Sequence, residues 1–411
     1  MIARRRGTVL AAALAFSALG FGGAACATSD VPIGTVEEDD VNKLGGDGGT
    51  DGQAVVPLDD AGQEASLPPP RTCSDQNFCH TDIPEGATLT SVWGDGAGVV
   101  WTVSAQGTIY RWDGAHWNVH HEVASAVLTT VWGSSPTDVW VAGSTGLLHG
   151  TGASATTLVF EPVTGLPGNA DIALSSLWGS GADDIWAVGF HQDPSPSRRL
   201  YGRVVHYTGA ANGWSELTLS VPREYEWDPD PSVATLGVFG SATSGAWIHG
   251  AWHDSQGYAA AVLFHIPPGA NEAVRIKVPE GRDWPPGQQP LTGAGVMDDG
   301  TVLIGSVSLL GRHGYIRGKA PYAAGDWELL YRPQYESQPH LFWGTSNSDA
   351  WQAGDFGRLR HWDGTKWTQS VIMVTTAPVK SDFYGAWATS NDDFWVVGDG
   401  IALHKMPPSK P

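Results

Sequence analysis

Aspartate recurs two residues ahead of a tryptophan at Asp138, Asp184, Asp349 and Asp393, and histidine recurs once per interval at His149, His206, His265, His361 and His404. Repeated carboxylates could ligate calcium and repeated imidazoles a transition metal, but either site needs its ligands to converge within a few ångströms. Residues supplied singly by separate turns do not converge. Each aspartate is therefore expected to accept a backbone N–H within its own turn, and the histidines to pack between repeats, with no metal and no cofactor held.

A different chemistry is open to PREYEWDPDPSV at 222–233, where Glu226 with Asp228 or Asp230 could serve as the acid and base of a glycoside hydrolase. Acids bounded by prolines are ordinarily solvated, and no nucleophile motif accompanies them, so catalysis is the alternative reading. The neighbouring aromatics suit binding better. Tyr225, Trp227, Trp252, Trp284 and Tyr335 stand near Glu226, Asp228 and Arg282, an amphipathic and charged set fit for a protein or polysaccharide partner. The same side chains could instead cap the ends of strands locally.

What must position these residues begins with a leader. Residues 1–25 carry Arg4, Arg5 and Arg6, an apolar run of small residues and then GGAAC, which reads as an export signal. GAAC resembles the lipobox of bacterial lipoproteins, which implies lipidation of Cys26 and placement at the outer membrane or cell surface; cleavage at Ala27 would instead release a soluble protein. Residues 26–72 are rich in Gly, Pro and acids and poor in aromatics, a composition that buries too little to fold and reads as a tether. Cys73 and Cys79 then close a small loop as a disulfide in an oxidising compartment. The formal charge of −20, from 43 acids against 23 bases, argues against nucleic acid and against membrane contact other than through a lipid.

From residue 73 to 411 the chain repeats. Trp93 and Trp101, Trp132 and Trp140, Trp178 and Trp186, Phe239 and Trp247, Trp343 and Trp351, and Trp387 and Trp395 are pairs eight positions apart. Ala294 and Val302 hold the two places in a weaker seventh copy, giving repeats that start near 89, 128, 174, 235, 291, 340 and 383. Short apolar runs separated by turn residues make each repeat all strand, and Asp113-Gly114 and Asp363-Gly364 mark hairpins. The expectation is an all-β, seven-bladed β-propeller of four-stranded antiparallel blades, monomeric, with blades packed through their indoles. The last repeat lacks a fourth strand, so residues 76–83 are expected to pair with 402–405 and close the ring.

Leu89 to Lys405 resembles the Asp-box (BNR-type) and photosystem II assembly factor-like repeats, although Asp113, Gly114 and Trp117, like Asp363, Gly364 and Trp367, are one residue tighter than the Asp-box spacing. In such a blade, second-to-third turns and the crossings between blades share one face. The long segments 191–202, 222–233, 252–258, 279–290 and 332–340 all fall on it, over blades three to five. That face is the expected binding face.

Overall fold

The computed structural model describes residues 72–193, 200–219, 232–253, 259–277, 291–307, 313–331, 339–373 and 377–407. The leader, Cys26 and the tether lie outside them. Strand β1 (Phe78–His80) precedes the repeats. The first unit holds β2 (Leu89–Gly94), β3 (Val100–Ser104), β4 (Thr108–Trp112) and β5 (Trp117–Glu122), and the second β6 (Leu128–Ser135), β7 (Asp138–Gly143), β8 (Gly146–Thr151) and β9 (Val159–Pro162). The third holds β10 (Ser176–Gly181), β11 (Asp184–Gln192), β12 (Leu200–Tyr207) and β13 (Trp214–Glu216), and the fourth β14 (Ser232–Ser241), β15 (Gly245–His253), β16 (Ala259–Ile266) and β17 (Val274–Ile276). The fifth holds β18 (Leu291–Val296), β19 (Val302–Val307), β20 (His313–Gly318) and β21 (Trp327–Tyr331), and the sixth β22 (Pro339–Ser346), β23 (Asp349–Gly354), β24 (Leu359–Trp362) and β25 (Trp367–Ser370). The last holds β26 (Phe383–Ser390), β27 (Asp393–Gly398) and β28 (Ile401–Lys405).

Each unit is an antiparallel meander hydrogen-bonded in chain order, and a single parallel bridge from Ala294 to Leu341 joins the fifth to the sixth. Strand β1 adds to β28 as the fourth strand of the last sheet, with Phe78 opposite Lys405, Cys79 opposite His404 and His80 opposite Leu403. Cys79 within that strand is disulfide-bonded to Cys73. Second strands such as DVWVAG and DFWVVG are buried at every position after the aspartate, which is why they read as continuous apolar runs.

The eight-residue interval is a cross-strand register. Trp93 faces Trp101, Trp132 faces Trp140, Trp178 faces Trp186, Phe239 faces Trp247, Trp343 faces Trp351 and Trp387 faces Trp395. In the fifth unit the frame differs from the sequence expectation, because Ala294 faces Ile304 and Val302 faces Val296. The turn has the length it has in the first unit, the Met297 N–H bonding the Thr301 carbonyl as Asp95 bonds Val99, and the facing residues eight apart are Gly295 and Leu303, one position on.

Glycine after the first-strand tryptophan has a definite purpose. A Cβ placed on Gly133 would lie 2.7 Å from the Trp93 ring, and the same distance separates Gly179 from Trp132, Gly240 from Trp178 and Gly94 from Trp387. Each indole thus lies flat against the backbone of the following unit, and that of the last unit lies on the first. Threonine hydroxyls reinforce the seams: Thr90 donates to the Leu128 carbonyl at 2.8 Å and Thr235 to the Gly189 carbonyl at 2.6 Å. Between first and last units, Trp112, Trp117 and Trp395 meet with centroids 5.3 Å apart.

Candidate binding face and axial cavity

The repeated aspartates and histidines find one another inside four of the units. The register puts His149 opposite Trp140, His206 opposite Trp186, His361 opposite Trp351 and His404 opposite Trp395. Each imidazole donates Nε2–H to the aspartate two residues before that tryptophan, at 2.6 Å for Asp138, 2.7 Å for Asp184, 2.6 Å for Asp349 and 2.8 Å for Asp393. The other carboxylate oxygen accepts a hydroxyl, from Ser134, Ser180, Thr345 or Thr389. The indoles of Trp140 and Trp186 donate to the same carboxylates at 3.2 and 3.0 Å and stack on His149 and His206 at 3.7 and 3.6 Å. Side chains therefore take these carboxylates, in place of the backbone N–H groups expected from sequence.

The electrostatics follow. Burial would raise the Asp138 carboxyl, yet the His149, Ser134 and Trp140 bonds outweigh it and hold it below 3.8. At Asp184 the His206 bond is the largest influence and prevails over burial, and at Asp349 the bonds from His361, Asn391 and Thr345 overcome burial in the same direction. In the fourth unit Ser244 replaces aspartate, so Trp247 donates to its hydroxyl and His265 to its carbonyl. Backbone capping occurs at the hairpins instead. Asp113 is held at about 2 by the N–H groups of His116 and Ala115, and Asp363 at about 2 by the Thr365 hydroxyl and the Lys366 and Thr365 N–H groups.

First strands of all seven repeats line one axial cavity of about 530 Å³, bounded by Trp93, Trp132, Trp178, Trp343 and Trp387 together with Thr90, Thr129 and Tyr384. At its Tyr384 end, on the face of the second-to-third turns, lies a cluster the sequence reading did not single out. His340 donates from Nε2 to Asp355 at 2.9 Å and from Nδ1 to the Phe383 carbonyl at 2.8 Å, and its ring stacks on Tyr384. With a carboxylate and a carbonyl as acceptors, both ring nitrogens donate at once when the imidazole is protonated, so the geometry favours the charged form. Burial opposes that charge, but Asp355, the Phe383 carbonyl and Asp382 raise its pKa above 6.5. Burial, with Asp382, Asp399 and Asp355 around it, pushes the Tyr384 hydroxyl up to about 12. Beside them Phe356 is 72% exposed.

Of the residues expected to bind, Tyr225, Trp227, Glu226, Asp228, Arg282, Trp284 and Tyr335 lie outside the described residues, as does Asp230. Trp252 is a correction. It sits in β15 rather than in a loop, 5% exposed, packed in the cluster of Trp186, Val188, Val262 and Phe264. The extended strand carries it inward, where it belongs to blade packing. The His340 cluster left one trace in sequence: Phe356 stands where the corresponding turns carry Gln106 and Thr145 ahead of glycine.

No known family model and no curated protein sequence matches the chain. Solved structures do resemble it. A structure of YCF48 bound to D1 peptide has a TM-score of 0.57 at 17% identity, covering 82% of this chain and 99% of the other. YCF48 from Cyanidioschyzon merolae gives 0.56 at 12%, covering 80% and 99%. The extracellular domain of BT4673 from B. thetaiotaomicron gives 0.56 at 13%, over 80% of this chain and 39% of that one. Likeness at such identity defines the fold, and the fold is a β-propeller.

Proposed function

We propose that this chain is an exported binding protein whose propeller recognises a protein partner through the loop face. The observation that carries this reading is the cluster around Tyr384, which itself lines the axial cavity, where an exposed aromatic and three carboxylates gather on the face of the second-to-third turns, the face expected from sequence to bear the long segments. Repeated titratable groups elsewhere are engaged in holding blades together, which leaves recognition to this face. The likeness to YCF48 bound to D1 peptide supports a polypeptide over a polysaccharide.

In this reading the seven units close as seven blades, with β1 completing the last. Lipidation of Cys26 anchors the protein at the envelope, and residues 26–72 act as a tether reaching roughly 35 to 40 Å as a random coil. The test replaces Trp227, Trp284 and Tyr335 together by alanine and compares crosslinked envelope proteins with those of wild type. Loss of specific crosslinks is the expected outcome; an unchanged set contradicts a loop-face site. Labelling with radioactive palmitate, lost in Cys26→Ser, checks the anchor.

A further inference from the structure

We propose that Phe356 is the docking knob of the loop face, seated in an apolar pocket of a protein segment whose rim is basic. The proposal rests on the reading of that face as the binding face. Two independent costs are paid at one residue. Phe356 is 72% exposed, and its φ of 58° is left-handed, followed by Gly357 at 67°. Two consecutive left-handed residues make a turn that favours Asn-Gly, since a bulky Cβ clashes there with its own backbone. The first two units solve the same connection differently, with Gln106 and Thr145 keeping negative φ ahead of Gly107 and Gly146. A polar residue would have served folding better in unit six, so an exposed aromatic held in a strained turn points to recognition.

The turn is also fixed in place. The Phe356 N–H donates to Asp382 Oδ1 at 2.7 Å, the Gly357 N–H to the Ser381 carbonyl at 2.9 Å and the Arg358 N–H to the Asp355 carbonyl at 3.2 Å. His340 secures Asp355 from the other side. An aromatic presented rigidly loses little entropy on binding, which is what a hot spot requires. Charge selects the occupant. Asp355, Asp382 and Asp399 surround Tyr384, next to the knob, with His340, Arg358 and Lys380 among them, so the acidic surroundings come from the chain as a whole, at −20. Anionic lipid and a second copy of this chain are both repelled by that overall charge, whereas a segment with Lys or Arg around an apolar pocket is attracted.

The probe is a displayed library of random peptides of about twelve residues, selected on the wild-type protein, with one enriched peptide then synthesised and titrated. Enrichment of Lys or Arg beside apolar residues is expected, with affinity falling at least about tenfold in Phe356→Gly and in Phe356→Ser, and weakening in salt. Phe356→Gly suits the left-handed turn, so its loss of binding cannot come from misfolding. Equal affinity for Phe356→Gly, or no enrichment, overturns the inference. So does finding that this substitution abolishes binding to phosphatidylglycerol vesicles or self-association in sedimentation and leaves the peptide bound. A peptide lost by the Trp227, Trp284 and Tyr335 triple variant but kept by Phe356→Gly sinks the knob and spares the face; one kept by both variants sinks both.

Discussion

At the scale of single residues, the blades are held by carboxylates that accept from an imidazole and a hydroxyl at once, and at Asp138 and Asp184 from an indole as well. Asp138 receives His149, Trp140 and Ser134, and Asp138→Ala strands all three, at a cost of about 2 kcal/mol in urea unfolding followed by tryptophan fluorescence. Asp138, Asp184 and Asp349 are held below 3.8, so each contributes stability that is whole above that value and is lost as pH falls through its lower folded value. The urea midpoint should fall between about pH 5 and pH 2, and less steeply in Asp138→Ala. His340 works in the opposite sense. Its contribution is whole below 6.5 and is lost as pH rises through its elevated folded value. An NMR titration should place the His340 transition above 6.5 and shift it down in Asp355→Asn; a transition at or below 6.5 in the wild type contradicts the double donation. None of this was legible in sequence beyond the spacing, because an aspartate before a tryptophan looks the same whether it caps a turn or receives a histidine from the next strand.

At the scale of elements, the tryptophan interval fixed strand register wherever both aromatics are present. It failed in the fifth unit, where Ala294 and Val302 offer no bulk to mark the frame and the facing pair is Gly295 and Leu303, one position on. Trp252 shows the complementary limit: a tryptophan beside a polar loop segment reads as displayed, although β15 runs long enough to bury it. The N-terminal strand carries more weight than its three residues suggest. Phe78 is fully buried against Phe394 and Trp351, so Phe78→Ala should cost about 3–5 kcal/mol. Hydrogen exchange should then show the amides of β28 losing protection before those of β26. In the turn after β23, Phe356→Gly should raise stability by about 1 kcal/mol by relieving the left-handed phenylalanine, measurable by thermal unfolding.

At the scale of the whole molecule, repeats that match in register stack through indole on glycine until the last unit lies against the first. Repeat length and aromatic spacing made the propeller legible early, since that repetition has few other ways to bury its tryptophans. The proposed binding face was legible only as a side of the molecule, because exposure and backbone strain at Phe356 are set by the packing of neighbouring segments. Meeting of first and last units is the central claim, and one cross-link tests it. Thr88 and Asp399 form an antiparallel bridge, the Thr88 hydroxyl 3.0 Å from Asp399 Oδ1, so Thr88→Cys with Asp399→Cys, in a Cys26→Ser background, should form a disulfide on mild oxidation. Peptide mapping should recover the 88–399 bond in the folded protein. Free thiols at both positions after oxidation of folded, monomeric protein would show that the ends do not meet and would contradict the account.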